Sequence, residues 1–447
     1  MTATYDPTDP KYFDPGALTV ELDRVFDLCH GCRLCFNLCP SFPTLFDFID
    51  AKDGDVSALT DSQRDQVVDE CYQCKLCYVK CPYVPPHEWE LDFPRLMSRV
   101  HAVRKKQGVP LRERMTDQFL GRTDALGAAS VLGAPVVNWA TGTPGSWTRK
   151  VMEKTVGLAS ERLLPPYAKQ RFTTWFRKRR PGTAMTEELG AVSVFPTCFV
   201  EYMDPEVGQA LVGVYEHNGV ACSLPEGTKC CGAPWLHSGN LEQFEAAARR
   251  NVTALAAEVR AGRDVVVAQP TCAYIIKRDY PIYVAGPDAD LVAAHTYDPA
   301  EYLMQRHKNA ADTFALQSEF PGREDGRVPD EVTYHVACHL QAQNAGLKSR
   351  DLLKVAGVKC ALVQRCSGID GTWGYRAENY ELARKVAAPL AREIEAAGHE
   401  TVCGDCHLAN GAILQETGRR PLHPMQLMAQ AYGISGPEKS AGDRARS

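Results

Sequence analysis

The chain lacks a run of apolar residues long enough to cross a bilayer. The nearest stretch, Ala125 to Ala140 (ALGAASVLGAPVVNWA), is too short and is broken by Pro135 and Asn138. Its opening, MTATYDPTDPKYFDPG, is polar and proline-rich and does not read as a secretory signal. There is no phosphate-binding Walker loop, no serine nucleophile elbow, and no strand–glycine loop–helix fingerprint for a dinucleotide. The loose run Gly368, Gly371, Gly374 has no such context, and the nearby Cys366 accounts for its place better. Charge of one sign is also scarce. A net charge of −5 over 447 residues argues for neither nucleic acid nor a strongly charged substrate. With 45 % hydrophobic residues, the chain can build two or three domains with real cores.

What the chain has instead is sulfur: 18 cysteines, best read as metal ligands in a reducing cytoplasm rather than as disulfides. Eight of them form one phrase written twice. The first is Cys29-x2-Cys32-x2-Cys35-x3-Cys39-Pro40; the second is Cys71-x2-Cys74-x2-Cys77-x3-Cys81-Pro82. Three cysteines two residues apart can wrap one cube of iron and sulfide, each reaching a different iron. The fourth points away, and in two-cluster ferredoxins it completes the other cube. On that pattern Cys29, Cys32, Cys35 and Cys81 hold one 4Fe–4S cluster, and Cys71, Cys74, Cys77 and Cys39 hold another, roughly 12 Å away. Structural zinc is the competing assignment, but zinc ligands usually come as two separated pairs.

The expected fold class is α+β: a helical two-cluster ferredoxin domain of bacterial type, then two α/β cysteine-rich repeats with small parallel sheets. Residues 1–20 read as a flexible leader and 21–105 as the ferredoxin domain, with a largely helical insertion from Pro43 to Glu70. Residues 106–186 read as a mostly helical connector ending at the Arg180-Pro181-Gly182 break. Within it, the stretch Trp147 to Arg180 carries ten Lys or Arg against Glu153 and Glu161, interleaved later with Phe172, Trp175 and Phe176. Such a segment either lies on an anionic bilayer or docks its aromatics on the next domain.

Residues 187–300 and 301–447 read as two copies of one unit. Each opens with a β-run ending on a cysteine (Cys198; Cys338) and passes through a helix to a short strand holding Cys222 or Cys360. Each then reaches a turn (Cys230-Cys231-Gly232; Cys366-Ser367-Gly368), a long amphipathic helix, and a last strand before a closing cysteine (Cys272; Cys406). The opening cysteine precedes the turn by 32 residues in one copy and 28 in the other, and the turn precedes the closing cysteine by 42 and 40. Alternating strands and helices imply parallel sheets, and cysteines just after strands gather at the carboxyl edge, where open α/β sheets build their sites. Neighbouring Cys230 and Cys231 suit different irons of a cluster better than one small ion. Pro196 and Pro270 would stiffen the approach to Cys198 and Cys272.

These Cys-Cys-Gly repeats resemble the cysteine-rich domains of heterodisulfide reductase catalytic subunits. Two ferredoxin phrases joined to two such repeats resemble the iron–sulfur subunit of anaerobic glycerol-3-phosphate dehydrogenase and related subunits of glycolate and lactate oxidases. The telling pieces are Cys29-His-Gly-Cys-Arg-Leu-Cys-Phe-Asn-Leu-Cys-Pro, Cys230-Cys-Gly-Ala-Pro, Pro270-Thr-Cys, Ala337-Cys-His339 and Cys366-Ser-Gly-Ile-Asp-Gly-Thr-Trp-Gly. The resemblance implies electron transfer from a flavoprotein dehydrogenase or other redox partner to a quinone or protein acceptor. It implies no independent substrate turnover, and a cytoplasmic location, peripheral at the inner face of the membrane if a membrane is met. The competing class is catalytic: reduction of a disulfide at the first-repeat cluster. A redox or iron sensor finds no DNA-binding element to support it.

The departures from the full repeat matter. Ile275 and Ala409 stand where a closing Cys-x2-Cys would have its second cysteine, and Ser367 replaces one cysteine of the second turn. The first repeat keeps four thiolates (Cys198, Cys230, Cys231, Cys272), enough for a third iron–sulfur cluster. The second keeps three (Cys338, Cys366, Cys406), so a further metal centre there needs another ligand: His339, His407, Cys403 or Ser367. Otherwise its cysteines are free buried thiols. Cys222 and Cys360 read as core thiols and His335 as a satisfied core histidine. His237 is a candidate proton donor beside a cluster, with Asp370 and Tyr375 in similar places in the second half.

Overall fold

The computed structural model describes residues 6–180, 190–309, 314–369 and 371–434. Asp370, the Pro181-Gly182 break and the last thirteen residues lie outside them. The first helix, Pro15–Cys32, starts where Asp14 caps it by accepting from the Ala17 N–H, with proline in the first turn. It buries Leu18, Leu22, Val25 and Phe26. The leader expected over residues 1–20 is therefore shorter. Residues 1–5 lie outside the described set, and from Tyr12 onward the chain is packed: Tyr12 is buried and its carbonyl accepts from Arg99 Nε at 2.7 Å. The insertion is helical as expected. Helices Ser41–Asp50 and Asp61–Asp69 bring Phe42, Leu45, Phe46 and Ile49 into one core with Val67 and Val68. Helix Phe93–Gln107 adds Phe93, Leu96 and Met97 to that core.

The connector is helical too: Leu111–Gly121, Thr123–Leu132, Ala134–Thr141, Trp147–Val156 and Phe172–Lys178. The apolar stretch at 125–140 is split between two short helices, and among the described residues no helix is long and apolar enough to cross a membrane. Phe172 and Phe176 are buried in the core of the next domain, with Trp175 packed against it. Two of the ten basic residues are internal braces. Arg149 donates to the carbonyls of Thr141, Ala159 and Arg162; Arg162 donates to the carbonyl of Gly374 and to Gln415.

The two repeats form two parallel sheets of matching layout. Strands β1 (Ala191–Val194), β2 (Ala221–Ser223), β3 (Asp264–Val266) and β4 (Thr296–Tyr297) take the order β2-β1-β3-β4. Strands β5 (Glu331–His335), β6 (Lys359–Val363) and β7 (Val402–Gly404) take the order β6-β5-β7. The register repeats as well: Val192 pairs with Cys222 and Val332 with Cys360. Cys222 and Cys360 both pack against the core, and burial pushes both thiols up, Cys360 to about 11. The boundary expected at residue 300 falls inside helix Pro299–Asn309, which sends Tyr302, Leu303 and Met304 into a core built from both sheets. Helix Pro424–Ala431 of the second copy packs on helix Pro205–His217 of the first. The two copies therefore share an interior, because neither small sheet alone covers its apolar face.

Candidate metal centres

The two ferredoxin loops turn in the same way. The first helix ends as Arg33 enters the left-handed region (φ 54°), its N–H returning to the Cys29 carbonyl. Lys75, at the same place in the second loop, has φ 65°. Cys39, Cys71, Cys74 and Cys77 line one cavity, together with Tyr72 and Lys75, with about 280 Å³ of empty space that is partly open to solvent. The other four group around Cys29, whose thiol is pushed up by burial and then by Cys35, Cys81 and Cys32. Cys35 rises to about 11 through burial, Cys81 and Cys32. The fourth cysteine of each phrase thus sits with the three of the other. Such thiols resist ionisation together unless a cation joins them. Four sulfurs gathered at one place and a cationic iron–sulfide core answer each other in charge, so the residues fit iron–sulfur clusters. The two sets differ in exposure: Cys32 is exposed, whereas Cys71, Cys74 and Cys77 are buried.

In the first repeat, Cys198 opens helix Cys198–Tyr202 after β1, and Cys272 lies in helix Pro270–Tyr274 after β3. The Cys231 and Cys272 sulfurs are 3.2 Å apart. The Cys198 and Cys231 thiols hydrogen-bond to Cys230 and are pushed up, and these bonds hold Cys230 well below its ordinary value. The turn is clamped by residues that sequence reasoning missed. The Cys230 N–H donates to Asp124 Oδ2 at 2.8 Å, Asn251 Nδ2 donates to the Cys230 carbonyl, and the Tyr280 hydroxyl donates to the Cys231 carbonyl at 2.9 Å. Gly232 has φ 87°, and a Cβ there would stand 2.8 Å from the Phe244 ring, so only glycine fits. No local signal marks Asp124, which reaches the turn from the connector.

In the second repeat, Cys338, Cys366, Cys406, His335, His339 and Ser367 line a cleft with about 440 Å³ of empty space. Cys366 Sγ accepts from the Gly368 N–H, and Cys406 Sγ accepts from Gln269 Nε2, each at 3.2 Å. Among the described residues, no three His, Cys, Asp or Glu side chains converge as they would on a single ion. The extra-ligand candidates separate. Cys403 is buried in the shared core on β7. His339 is engaged on both nitrogens, with Thr271 Oγ1 at 2.9 Å and the Gln73 carbonyl at 3.1 Å. His407 Nδ1 meets Gln269 Oε1 at 3.0 Å. Ser367 remains on the cleft. His335, expected to be a satisfied core residue, is only half satisfied: Nε2 donates to the Arg365 carbonyl at 2.9 Å, while buried Nδ1 has no partner. His237 is half-buried beside His339, its Nε2 out of contact with solvent, and is held well below its ordinary value by burial and then by Lys75. It is therefore neutral.

The buried ferredoxin set abuts this second repeat. The Tyr72 hydroxyl meets Cys366, its ring lies 5.1 Å from that of Trp373, and Leu76 reaches the cleft. The first-repeat thiols connect to the same place through Gln269 and Thr271.

Residues 22–108 match the Citrate utilization protein B Fer4-like domain, and residues 192–277 and 332–409 each match the Cysteine-rich (CCG) domain. The chain is thus similar to a Fer4-like domain in its first part and, twice over, to the CCG domain in its second. It is 29 % identical over 323 residues to a subunit of the anaerobic glycerol-3-phosphate dehydrogenase of Escherichia coli, covering 72 % of this chain and 78 % of that one. It is 27 % identical over 253 residues to a subunit of the fumarate reductase (CoM/CoB) of Methanothermobacter marburgensis, covering 54 % and 46 %. Lactate utilization protein A of an Exiguobacterium species is 25 % identical over 251 residues, covering 53 % of this chain and 94 % of its own. This Fer4-like and CCG composition supports iron–sulfur binding and an electron-transfer role.

Proposed function

We propose that the chain is the iron–sulfur electron-transfer subunit of an oxidoreductase complex, taking electrons from a flavoprotein and delivering them to a quinone or protein acceptor. Clusters bound at Cys29/Cys32/Cys35/Cys81 and Cys39/Cys71/Cys74/Cys77 would supply one-electron carriers. The protein supplies position and insulation: one set of thiols near the surface, one buried, and the buried one against the second repeat. That succession is the observation supporting the reading most strongly. Two relatives are named as subunits of larger enzymes, in keeping with a chain that works beside redox partners. A third cluster belongs to Cys198, Cys230, Cys231 and Cys272. A centre at Cys338, Cys366 and Cys406 would draw its remaining donor from Ser367 or His335 Nδ1.

The chain meets its membrane, on this reading, from the surface. Leu132, Val136, Trp139, Trp147 and Val151 are exposed on adjoining connector helices, with Lys150 and Lys154 exposed among them. Tryptophans rimmed by lysines suit an anionic bilayer.

Iron and sulfide content, with EPR spectra of anaerobic protein, tests the cluster reading. About eight irons correspond to the ferredoxin pair and about twelve to a further cluster, four per cube. Loss of the excess in Cys231→Ala would assign it to the first repeat. Zinc, or no metal, at the first eight cysteines would overturn the proposal.

A further inference from the structure

Arg33 and Lys75 occupy the same place in the two cysteine loops, each following the second cysteine, and both are basic. Both backbones are left-handed. Their surroundings are opposite. The Arg33 side chain is 43 % exposed and pairs with Asp50, a carboxylate it shares with His30. Lys75 is 4 % exposed. Its ammonium donates to the amide oxygen of Gln73 at 2.6 Å, an oxygen that also accepts from the Ser98 hydroxyl at 3.1 Å. No ion pair within 4 Å among the described residues includes it. Lys75 lines the cavity walled by Cys39, Cys71, Cys74 and Cys77. The buried carboxylate whose ionisation it assists, Asp92, does not line that cavity and lies 3.6 Å from Arg95, which reaches Asp279 at the same distance.

From this asymmetry we infer that Lys75 makes the buried four-cysteine set the preferred resting place of an electron shared between the two ferredoxin sets. The inference rests on the cluster reading above. Reduction adds one negative charge to whatever the four sulfurs hold, and a cation in a dry, weakly polarisable site stabilises that charge far more than one in water. Arg33, hydrated and already neutralised by Asp50, does little for its own set. One electron, supplied by the redox partner, moves from the exposed set to the buried one; no proton or bond is exchanged. Lys75 thereby directs electrons inward, towards the second repeat, by field alone and without touching the carrier at its outer end.

The test is an EPR-monitored redox titration of the anaerobic full-length chain, with iron content measured on every sample. In wild type, the higher-potential couple is the one lost or altered in Cys74→Ser and not in Cys32→Ser. In Lys75→Gln, the preference for the buried set falls at least tenfold, about 59 mV of separation for a one-electron couple. Lys75→Arg and Arg33→Gln retain it. The inference is overturned if Lys75→Gln loads its irons and keeps the wild-type separation, or if Cys32→Ser alters the higher couple. Should Lys75→Gln fail to load, the two cysteine variants decide. Wild-type protein without iron would sink the cluster reading itself, a result distinct from either outcome.

Discussion

His339 Nε2 lies 3.1 Å from the carbonyl oxygen of Gln73, so the helix after Cys338 is tied to the peptide between Cys71 and Cys74. With Nδ1 against the Thr271 hydroxyl, one neutral ring joins the ferredoxin loop to both cysteine-rich repeats. Burial holds that ring neutral, so Nε2–H donates to the carbonyl and Nδ1 accepts from the hydroxyl.

Replacing this ring tests the junction. His339→Ala leaves the Gln73 carbonyl and Thr271 hydroxyl without their buried partner, which costs about 1–3 kcal/mol. Denaturant unfolding of the metal-loaded protein should show that loss. Stopped-flow reduction should show slower electron arrival beyond the ferredoxin domain. A variant with wild-type stability would mean the ring does not carry the contact.

Gly232→Ala should be among the more damaging small substitutions. The left-handed backbone alone costs about 1–2 kcal/mol for a residue with Cβ, and the methyl group meets Phe244. The melting temperature should fall, and iron above the ferredoxin complement should be lost while the ferredoxin EPR signals persist.

Asp124 brings a pH dependence. Burial, and next the neighbouring Cys230, push its carboxyl above the ordinary 3.8. The folded protein then binds a proton that the unfolded chain has released, so this group's contribution to stability falls as pH rises from about 3.8 through the raised value. Asp124→Asn keeps an acceptor for the Cys230 N–H and removes the charge. Unfolding midpoints measured across pH should lose that decline in the variant.

The exposed tryptophans test the surface reading. Wild-type protein should float with vesicles rich in anionic lipid and less with neutral ones. Trp139→Ser with Trp147→Ser should reduce flotation several-fold while leaving iron content and melting temperature unchanged, because both side chains are exposed. Equal flotation of variant and wild type would end the membrane assignment of this face.

Much of the layout was legible in the chain. Cys29, Cys32 and Cys35, and their counterparts Cys71, Cys74 and Cys77, lie within one or two turns of each other, so spacing alone brings each trio together. The repeat was legible because each strand and its following cysteine are neighbours in sequence; Val192 opposite Cys222 and Val332 opposite Cys360 follow from the same layout. The residues holding the sites were not legible. Asp124 reaches Cys230 across 106 positions, and Gln269 reaches Cys406 across 137. The leader was overestimated because a capped helix start at Asp14-Pro15 is a weaker signal than the prolines before it. Cys403 and Cys406 look equivalent as letters, yet Cys403 lies on β7 in the shared core, while Cys406 lies past the strand's end, at the N-cap of helix His407–Thr417, beside the cleft.

The amino-acid order by itself determined which sulfurs stand together in each ferredoxin trio, that the cysteine-rich unit occurs twice, and that the second copy is short of thiols. These are matters of spacing, and covalent geometry enforces them locally. Only the tertiary structure decided that the depleted copy faces the ferredoxin domain. It also decided that Arg33 stands in water beside Asp50, while Lys75 is shut in beside Cys71, Cys74 and Cys77, all buried, and half-buried Cys39. Burial is the sum of contacts between distant segments, and two positions alike in letters and in backbone acquire different electrostatics only when the rest of the chain closes over one of them.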